Sequence, residues 1–164
     1  MTKYQLKSAV FIVASLLISL IITSCGPNYT YENKQEYSEE GWAFKDSLQL
    51  DFEVTDSATI YNLHLIIEHS TSFSYQNFYS RIHTVFPEGQ RVSEQVSLEL
   101  AGKGGVWLGD CSSSACTLDI PIQQGVFFNQ VGHYQLIIEQ FSRMDPLKGI
   151  QSIHLALEET GEKR

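Results

Sequence analysis

Basic side chains are scarce in this sequence. Eleven lysines and arginines stand against nineteen aspartates and glutamates among 164 residues, a net charge of −8. A phosphate backbone is gripped by clustered Lys and Arg, so nucleic acid is excluded as a partner class. Chemistry-bearing motifs are missing as well. There is no P-loop, no G-x-G-x-x-G fingerprint, no G-x-S-x-G elbow and no H-E-x-x-H, which removes the motif-based routes to nucleotide binding, serine hydrolysis and zinc catalysis. Carboxylates are plentiful, but nothing in their order pairs them for acid–base work. An enzyme is disfavoured, and no cofactor or metal is expected. Repeats and low-complexity tracts are absent. A content of 43% hydrophobic and 18% charged residues also rules out a disordered acidic tail or a collagen-like fibre.

Long hydrophobic runs are lacking too, with one exception at the start. Lys3 and Lys7 precede an uncharged run from Ser8 to Ser24, whose apolar stretch Ala9 to Ile22 is fourteen residues long. A positive segment followed by an apolar one of this length has the form of a secretory leader. The run ends in Ile22-Thr23-Ser24-Cys25, which resembles the lipobox of bacterial lipoprotein precursors. That resemblance implies removal of residues 1–24, diacylglycerylation of the Cys25 thiol and acylation, palmitate among the candidates, of the new amino group. An uncleaved transmembrane helix needs about 20 apolar residues and leaves Cys25 without a role. Two or more acyl chains anchor a protein stably where one does so only reversibly.

Removing the leader takes Lys3 and Lys7 with it and leaves 140 residues at a net charge of −10. A chain of that size buries about 70% of its unfolded surface, enough for one core. The acidic residues are scattered, as on a soluble envelope domain that stays dispersed. Residues 25–41 carry Pro, Asn, Tyr, Lys, Gln and Glu without apolar periodicity and read as the lipidated N-terminus and a flexible tether, with a reach of about 20 Å. Residues 42–164 are expected to form the folded domain.

Within that domain the apolar period is two. Leu48, Leu50, Phe52 and Val54 alternate with polar residues, as do Tyr61, Leu63, Leu65 and Ile67. Val92, Val96, Leu98 and Leu100 continue the pattern with Glu94 interrupting it. Leu118, Ile120 and Ile122, then Tyr134, Leu136 and Ile138, then Ile153, Leu155 and Leu157 complete the series, and Tyr75 to Phe86 is a further strand candidate. Alternation of this kind marks half-buried antiparallel strands. Turn signals fall between the runs, at Thr55-Asp56-Ser57, Pro87-Glu88-Gly89, Gly102-Lys103-Gly104-Gly105 and Asn129-Gln130-Val131-Gly132. The expected fold is all-β, an antiparallel β-sandwich of seven to eight strands, immunoglobulin-like or jelly-roll-like. Pro121 lacks a ladder donor, so its strand should be an edge or bulged there. Gly132-His133-Tyr134 has the form of a tyrosine corner.

Two cysteines remain after lipidation, Cys111 and Cys116, flanking a small polar tip. A structural disulfide, two free thiols, and a redox or metal role are the alternatives. An oxidising compartment favours the disulfide, and the C-x4-C spacing is not that of a thioredoxin-like site. The five histidines, His64, His69, His83, His133 and His154, are expected on solvent-facing strand positions. Aromatic residues are dense around Phe73, Tyr75, Phe78 and Tyr79, with Trp107 further on. They either fill a wide core or form an outward anchor set for a protein interface or a sugar-stacking site.

The order of several segments carries a wider resemblance. Trp42 precedes a strand ending Asp51-Phe52; Tyr61-Asn62-Leu63, Tyr75-Gln76-Asn77-Phe78, Pro87-Glu88-Gly89 and Gly105-Val106-Trp107-Leu108-Gly109 follow. Phe128, Gly132-His133-Tyr134, Glu139-Gln140-Phe141-Ser142-Arg143-Met144 and Leu147-Lys148-Gly149-Ile150 come after them. Over the mature chain this resembles the gliding-motility lipoprotein GldH family of the Bacteroidota; the Cys111/Cys116 pair is a departure from its pattern. The resemblance implies a non-enzymatic envelope lipoprotein that serves the surface motility machinery through protein contacts, and it carries over no catalytic residue. Gly26 after the cysteine lacks an acidic retention signal and no acidic cluster follows Cys25, so the expected location is the outer membrane, facing the periplasm. The alternative is a carbohydrate-binding surface lipoprotein.

Overall fold

The structure, a computed structural model, describes residues 28–164. The leader 1–24 and the lipidation site Cys25 lie outside the described residues. Among the described residues nine strands run β1 Tyr31–Glu36, β2 Leu48–Val54, β3 Thr59–Ser70, β4 Asn77–Val85, β5 Arg91–Glu99, β6 Asp110–Cys111, β7 Ala115–Val126, β8 Gly132–Gln140 and β9 Ile150–Lys163. They form two antiparallel sheets, one ordered β1-β9-β3-β7-β6 and the other β2-β8-β4-β5. Period-two patterning explains the layering directly. In β2 the residues Leu48, Leu50, Phe52 and Val54 are buried while Gln49, Asp51 and Glu53 are exposed. β3 buries Tyr61, Leu63, Leu65 and Ile67 against Phe52, Tyr134, Leu136 and Ile138 of the facing sheet, with Ile153, Leu155 and Leu157 of β9 beside them. The expected sandwich is therefore present, with nine strands where seven to eight were expected; β1 and the two-residue β6 account for the difference.

β1 corrects the reading of residues 25–41 as flexible tether. Residues 31–36 pair along β9 from Tyr31↔Leu157 to Glu36↔Ser152. Their side chains carry one aromatic and no aliphatic residue, so no apolar period announces the strand. Main-chain pairing on the β9 edge holds it, and two side chains fasten it to the other sheet: the Tyr31 hydroxyl donates to the Glu53 carbonyl (2.8 Å) and the Asn33 amide to the Gln49 carbonyl (2.6 Å). These contacts close that side of the sandwich.

Register sorts the connections into two ends. At one end lie Tyr31, Val54, Tyr61, Val126, Gly132 and Glu159, linked by the pairs Tyr31↔Leu157, Tyr61↔Val126, Tyr61↔Glu159 and Val54↔Gly132. At the other lie Glu36, His69, Cys116, Asn77, Glu99 and Gln140. The first, where the described chain begins, is called the proximal end below, and the second the distal end. Tyr134 donates to the Gln130 carbonyl at 2.9 Å, the bond a tyrosine corner makes. Pro121 lies where β7 has only β3 as a neighbour, and the register skips Ile122 between His64↔Pro121 and Leu63↔Gln123, so both edge and bulge occur. At the distal end Trp42 is fully buried, donates its indole N–H to the Asp46 carbonyl (2.6 Å) and bridges to Leu147. Gly41 before it has φ +93°, and a Cβ there would collide with the Leu147 carbonyl.

Two histidines depart from the expected solvent-facing positions. His69 is fully buried: the inward phase of β3 runs on to its last turn, where the ring packs on Trp107 at 4.6 Å. His83 faces outward but is 4% exposed, held between Ser93 (Nδ1 to Oγ, 2.7 Å) and the Glu139 carboxylate (3.2 Å). Cross-strand neighbours cover it, which alternation alone does not reveal. His64 and His154 are half-buried on the outer face of the five-stranded sheet, and His133 is exposed.

Candidate functional site

Five aromatic residues stand out in the sequence, and the structure divides them. The turn after β3, closed by the Phe73 N–H to the Ser70 carbonyl (2.9 Å), drops Phe73 into the core, where it meets Phe78 edge-on. Both rings are buried. Trp107 is half-buried, seals the space over His69 and Phe73, and donates to the Thr71 carbonyl at 3.2 Å. Tyr75 and Tyr79 point outward, 43% and 46% exposed.

The distal end joins those two tyrosines to residues that the aromatic pattern did not single out. The Phe141 N–H bonds the Tyr79 carbonyl (2.8 Å), which carries the chain past the end of β8 beside the start of β4. Phe141 and Met144 are exposed there, and with Tyr75 and Tyr79 they line a groove of about 680 Å³ floored by Phe78 and Leu147. Gln140 shapes its wall. This buried amide donates to the Met144 carbonyl (2.9 Å) and accepts the Ser142 N–H (3.0 Å), which curls residues 141–144 outward. Alternation ends at Gln140, and isolated apolar residues in a loop carry no period, so Phe141 and Met144 have no signal of their own. Asn77, Gln95, Ser142 and Arg143 rim the groove, and the Arg81 guanidinium stacks on Phe141 at 3.9 Å. A cationic rim on an acidic protein, over apolar walls, suits aromatic or aliphatic side chains accompanied by a carboxylate. Among the described residues no histidine or carboxylate lines it.

Cys111 and Cys116 are joined in a disulfide and lie directly opposite one another in β6 and β7. Their hairpin tip docks on the Phe73 turn through Thr71, whose N–H reaches the Ser114 carbonyl (3.0 Å) and whose hydroxyl reaches Ser113 (3.2 Å). The bridge thus buttresses the floor of the distal end.

Titratable groups gather elsewhere, on the outer face of the five-stranded sheet. His64 Nδ1 lies 3.0 Å from Asp119 and its Nε2 3.6 Å from Glu158, while His154 meets Glu32 at 2.7 Å. The Tyr29 ring covers both imidazoles at 5.7 and 5.6 Å. Desolvation, then the charges of Asp119, Glu158 and Glu32, raise the Tyr29 hydroxyl above its ordinary pKa. Among the described residues, no group of three or more histidines, cysteines and carboxylates converges to hold a metal ion.

The family model for the GldH lipoprotein matches residues 29–157, from Tyr29 to the β1 partner Leu157. The chain belongs to the GldH lipoprotein family. A GldH relative in Christiangramia forsetii, described as a gliding motility lipoprotein GldH homolog, is 25% identical over 151 residues, covering 90% of this chain and 91% of that protein. Membership brings with it a lipid-anchored place in the cell envelope. Solved structures are more remote. The infectious bursal disease virus VP2 subviral particle aligns with 83% of this GldH-family chain at 13% identity and a TM-score of 0.31. The Gx strain of the same virus aligns with 80% at 12% and 0.31. The chain spans about a third of the length of those viral chains, and scores at this level carry no argument.

Proposed function

We propose that this protein is a non-catalytic envelope lipoprotein that supports the surface motility machinery by holding another envelope protein at its distal end. In this reading residues 1–24 are removed, Cys25 carries the lipid, and the domain stands on the outer membrane facing the periplasm. One observation carries it. Of the large hydrophobic residues left exposed, Phe44, Tyr75, Tyr79, Val106, Leu108, Phe141 and Met144 belong to the distal end, whereas Val92, Phe127 and Val131 lie toward the proximal end. Pairing of β1 also shortens the leash. Three peptide links separate Cys25 from Asn28, about 11 Å at full extension. The proximal end is thereby kept near the bilayer and the apolar end is turned away from it, toward other proteins.

The test is a Tyr79→Ala, Phe141→Ala double variant in a gliding host. Surface movement should fall to the level of a deletion strain while the lipoprotein accumulates normally, because exposed side chains contribute little to stability, about 0.5 kcal/mol or less. Normal movement in the double variant would remove the groove from the mechanism, and normal movement in the deletion strain would remove the motility role. Asn77 and Gln95 beside Tyr79 also suit a sugar stacked on the ring. Retention of the protein on a polysaccharide column, lost in Tyr79→Ala, would favour that second reading.

A further inference from the structure

The two long sides of the sandwich are finished differently. β1 and β2 close one side. On the other, among the described residues, β5 is the outer strand of its sheet, and β7 beyond Leu118 has no neighbour except β3. The inward row of β5 is Val92, Glu94, Val96 and Leu98, set by pairing with Thr84, Ile82, Ser80 and Phe78. Only Leu98 is buried; Val92 remains 49% exposed, and the facing residues Leu118, Ile120 and Ile122 of β7 are half-buried. Between the two edges a cleft of about 180 Å³ reaches Leu63, Ile82 and Leu136 of the core. Core-facing apolar residues are left partly wet along this seam.

The two edges are not equally able to take a new strand. β7 contains Pro121, the skipped residue Ile122 and Gly125 at φ +66°, features that interrupt an edge. β5 pairs with β4 over nine residues without a register shift and contains neither proline nor glycine. Its outer main-chain edge is regular and free among the described residues. Glu94 stands within the apolar row and lines the cleft, without an ion-pair partner among the described residues; Arg91, the cation on the same strand, is engaged by Glu139 on the outer face.

We infer that β5 is an acceptor edge for an extended segment of another protein, a strand with apolar side chains at alternate positions and a lysine or arginine facing Glu94. Main-chain bonds to β5 supply binding, and alternate side chains fill the seam over Val92, Val96 and Ile122. The carboxylate selects the partner. A second copy of this chain is a poor occupant: antiparallel β5–β5 pairing about Gln95 sets the two Glu94 carboxylates on one diagonal, about 7–8 Å apart in an apolar seam. This surface uses the inward face and outer main-chain edge of β5, whereas the distal groove takes only Gln95 from the strand's other face, and it stands whether or not the groove binds anything.

The probe is a peptide of the length of β5, threonine alternating with valine, with lysine at the central inward position, and a twin carrying glutamate there. Each is added to the mature lipidated protein in detergent micelles, and amide hydrogen exchange across Arg91–Glu99 is followed together with affinity. The lysine peptide should slow exchange of the β5 amides and bind about tenfold more tightly than its twin. Glu94→Lys should invert that preference, with unchanged exchange in β3 and β9 showing that the variant is folded. Three results overturn the inference: no slowing in β5 with either peptide, equal affinity for both, or β5 amides already protected in the free protein in a concentration-dependent way. Tyr79→Ala, Phe141→Ala protein should behave as wild type in this assay, so failure of the groove and failure of the edge are told apart.

Discussion

The proximal and distal ends are both built from aromatic rings, yet they use them in opposite ways. At the proximal end Phe52 stacks on Tyr134 (5.6 Å), with Phe128 edge-on at 5.2 Å and Tyr31 at 5.7 Å, and the cluster is covered. At the distal end Trp42, Phe73 and Phe78 form a similar interior, but a second layer of Tyr75, Tyr79, Phe141 and Met144 lies outside it, facing solvent. The proximal rings are packing apart from the exposed Phe127, whereas the distal end carries a solvent-facing layer over a packed one. What separates them is position along the strands: Phe52, Tyr61 and Tyr134 share the inward phase, whereas Tyr79 is on the outward phase of β4 and Phe141 lies beyond the end of β8.

The comparison breaks most visibly at Phe52. It is 3% exposed, and truncating a buried phenylalanine costs about 3–5 kcal/mol. Phe52→Ala should therefore remove about a third to a half of the roughly 10 kcal/mol typical of a domain and lower the denaturation midpoint in proportion, with an unchanged denaturant slope. If it costs no more than the Tyr79→Ala, Phe141→Ala pair, the two ends do not differ as described.

The disulfide sharpens the distal side of the contrast at a smaller scale. Closing a loop of six residues contributes about 2 kcal/mol by chain entropy. Cys111→Ser, Cys116→Ser should cost about that much, and exchange should quicken first in the Thr71–Phe73 turn on which the hairpin rests. Exchange that quickens equally at Phe52 would mean the bridge serves the whole sandwich and not the distal floor.

The same contrast bears on what the sequence made legible. β2, β3, β8 and β9 are readable because one face of each strand is buried and the other wet, so alternation reports burial directly. β1 has no such row: its only inward aromatic is Tyr31, and its stability comes from main-chain bonds that every sequence can make. Glu94 reads as an interruption of β5, and in the structure it marks the place where the inward row is not covered. Tyr75 and Tyr79 are visible by density of aromatics, but which of the dense residues face out depends on the Phe73 turn. Phe141 and Met144 reach the same groove from more than 60 residues away through the buried Gln140, a long-range contact with no local signature.

The smallest expected effect concerns the polar fastening of the proximal end. Lys163 donates to Asp56 at 2.8 Å, and the Ala58 N–H donates to the same carboxylate, also at 2.8 Å. The Lys163 hydrogen bond, followed by that of Ala58, holds the Asp56 pKa below its ordinary value of 3.8. A carboxyl group whose pKa is depressed on folding binds protons more readily when unfolded, so its contribution is complete above the ordinary value and fades as pH falls through the folded one. Asp56 and Lys163 are both exposed, and salt screens the pair, so the contribution to folding is small. The readable quantity is the titration itself: the Asp56 carboxyl midpoint followed by NMR should lie below 3.8 and move up toward it in Lys163→Met. The Lys163 ammonium also reaches Thr59 at 2.7 Å, at the first residue of β3. Its removal should loosen the start of that strand and leave the distal groove as it was. Equal disturbance at Tyr79 would show that the two ends are one cooperative unit, and the separation of a fastened proximal end from a solvent-facing distal groove would not hold.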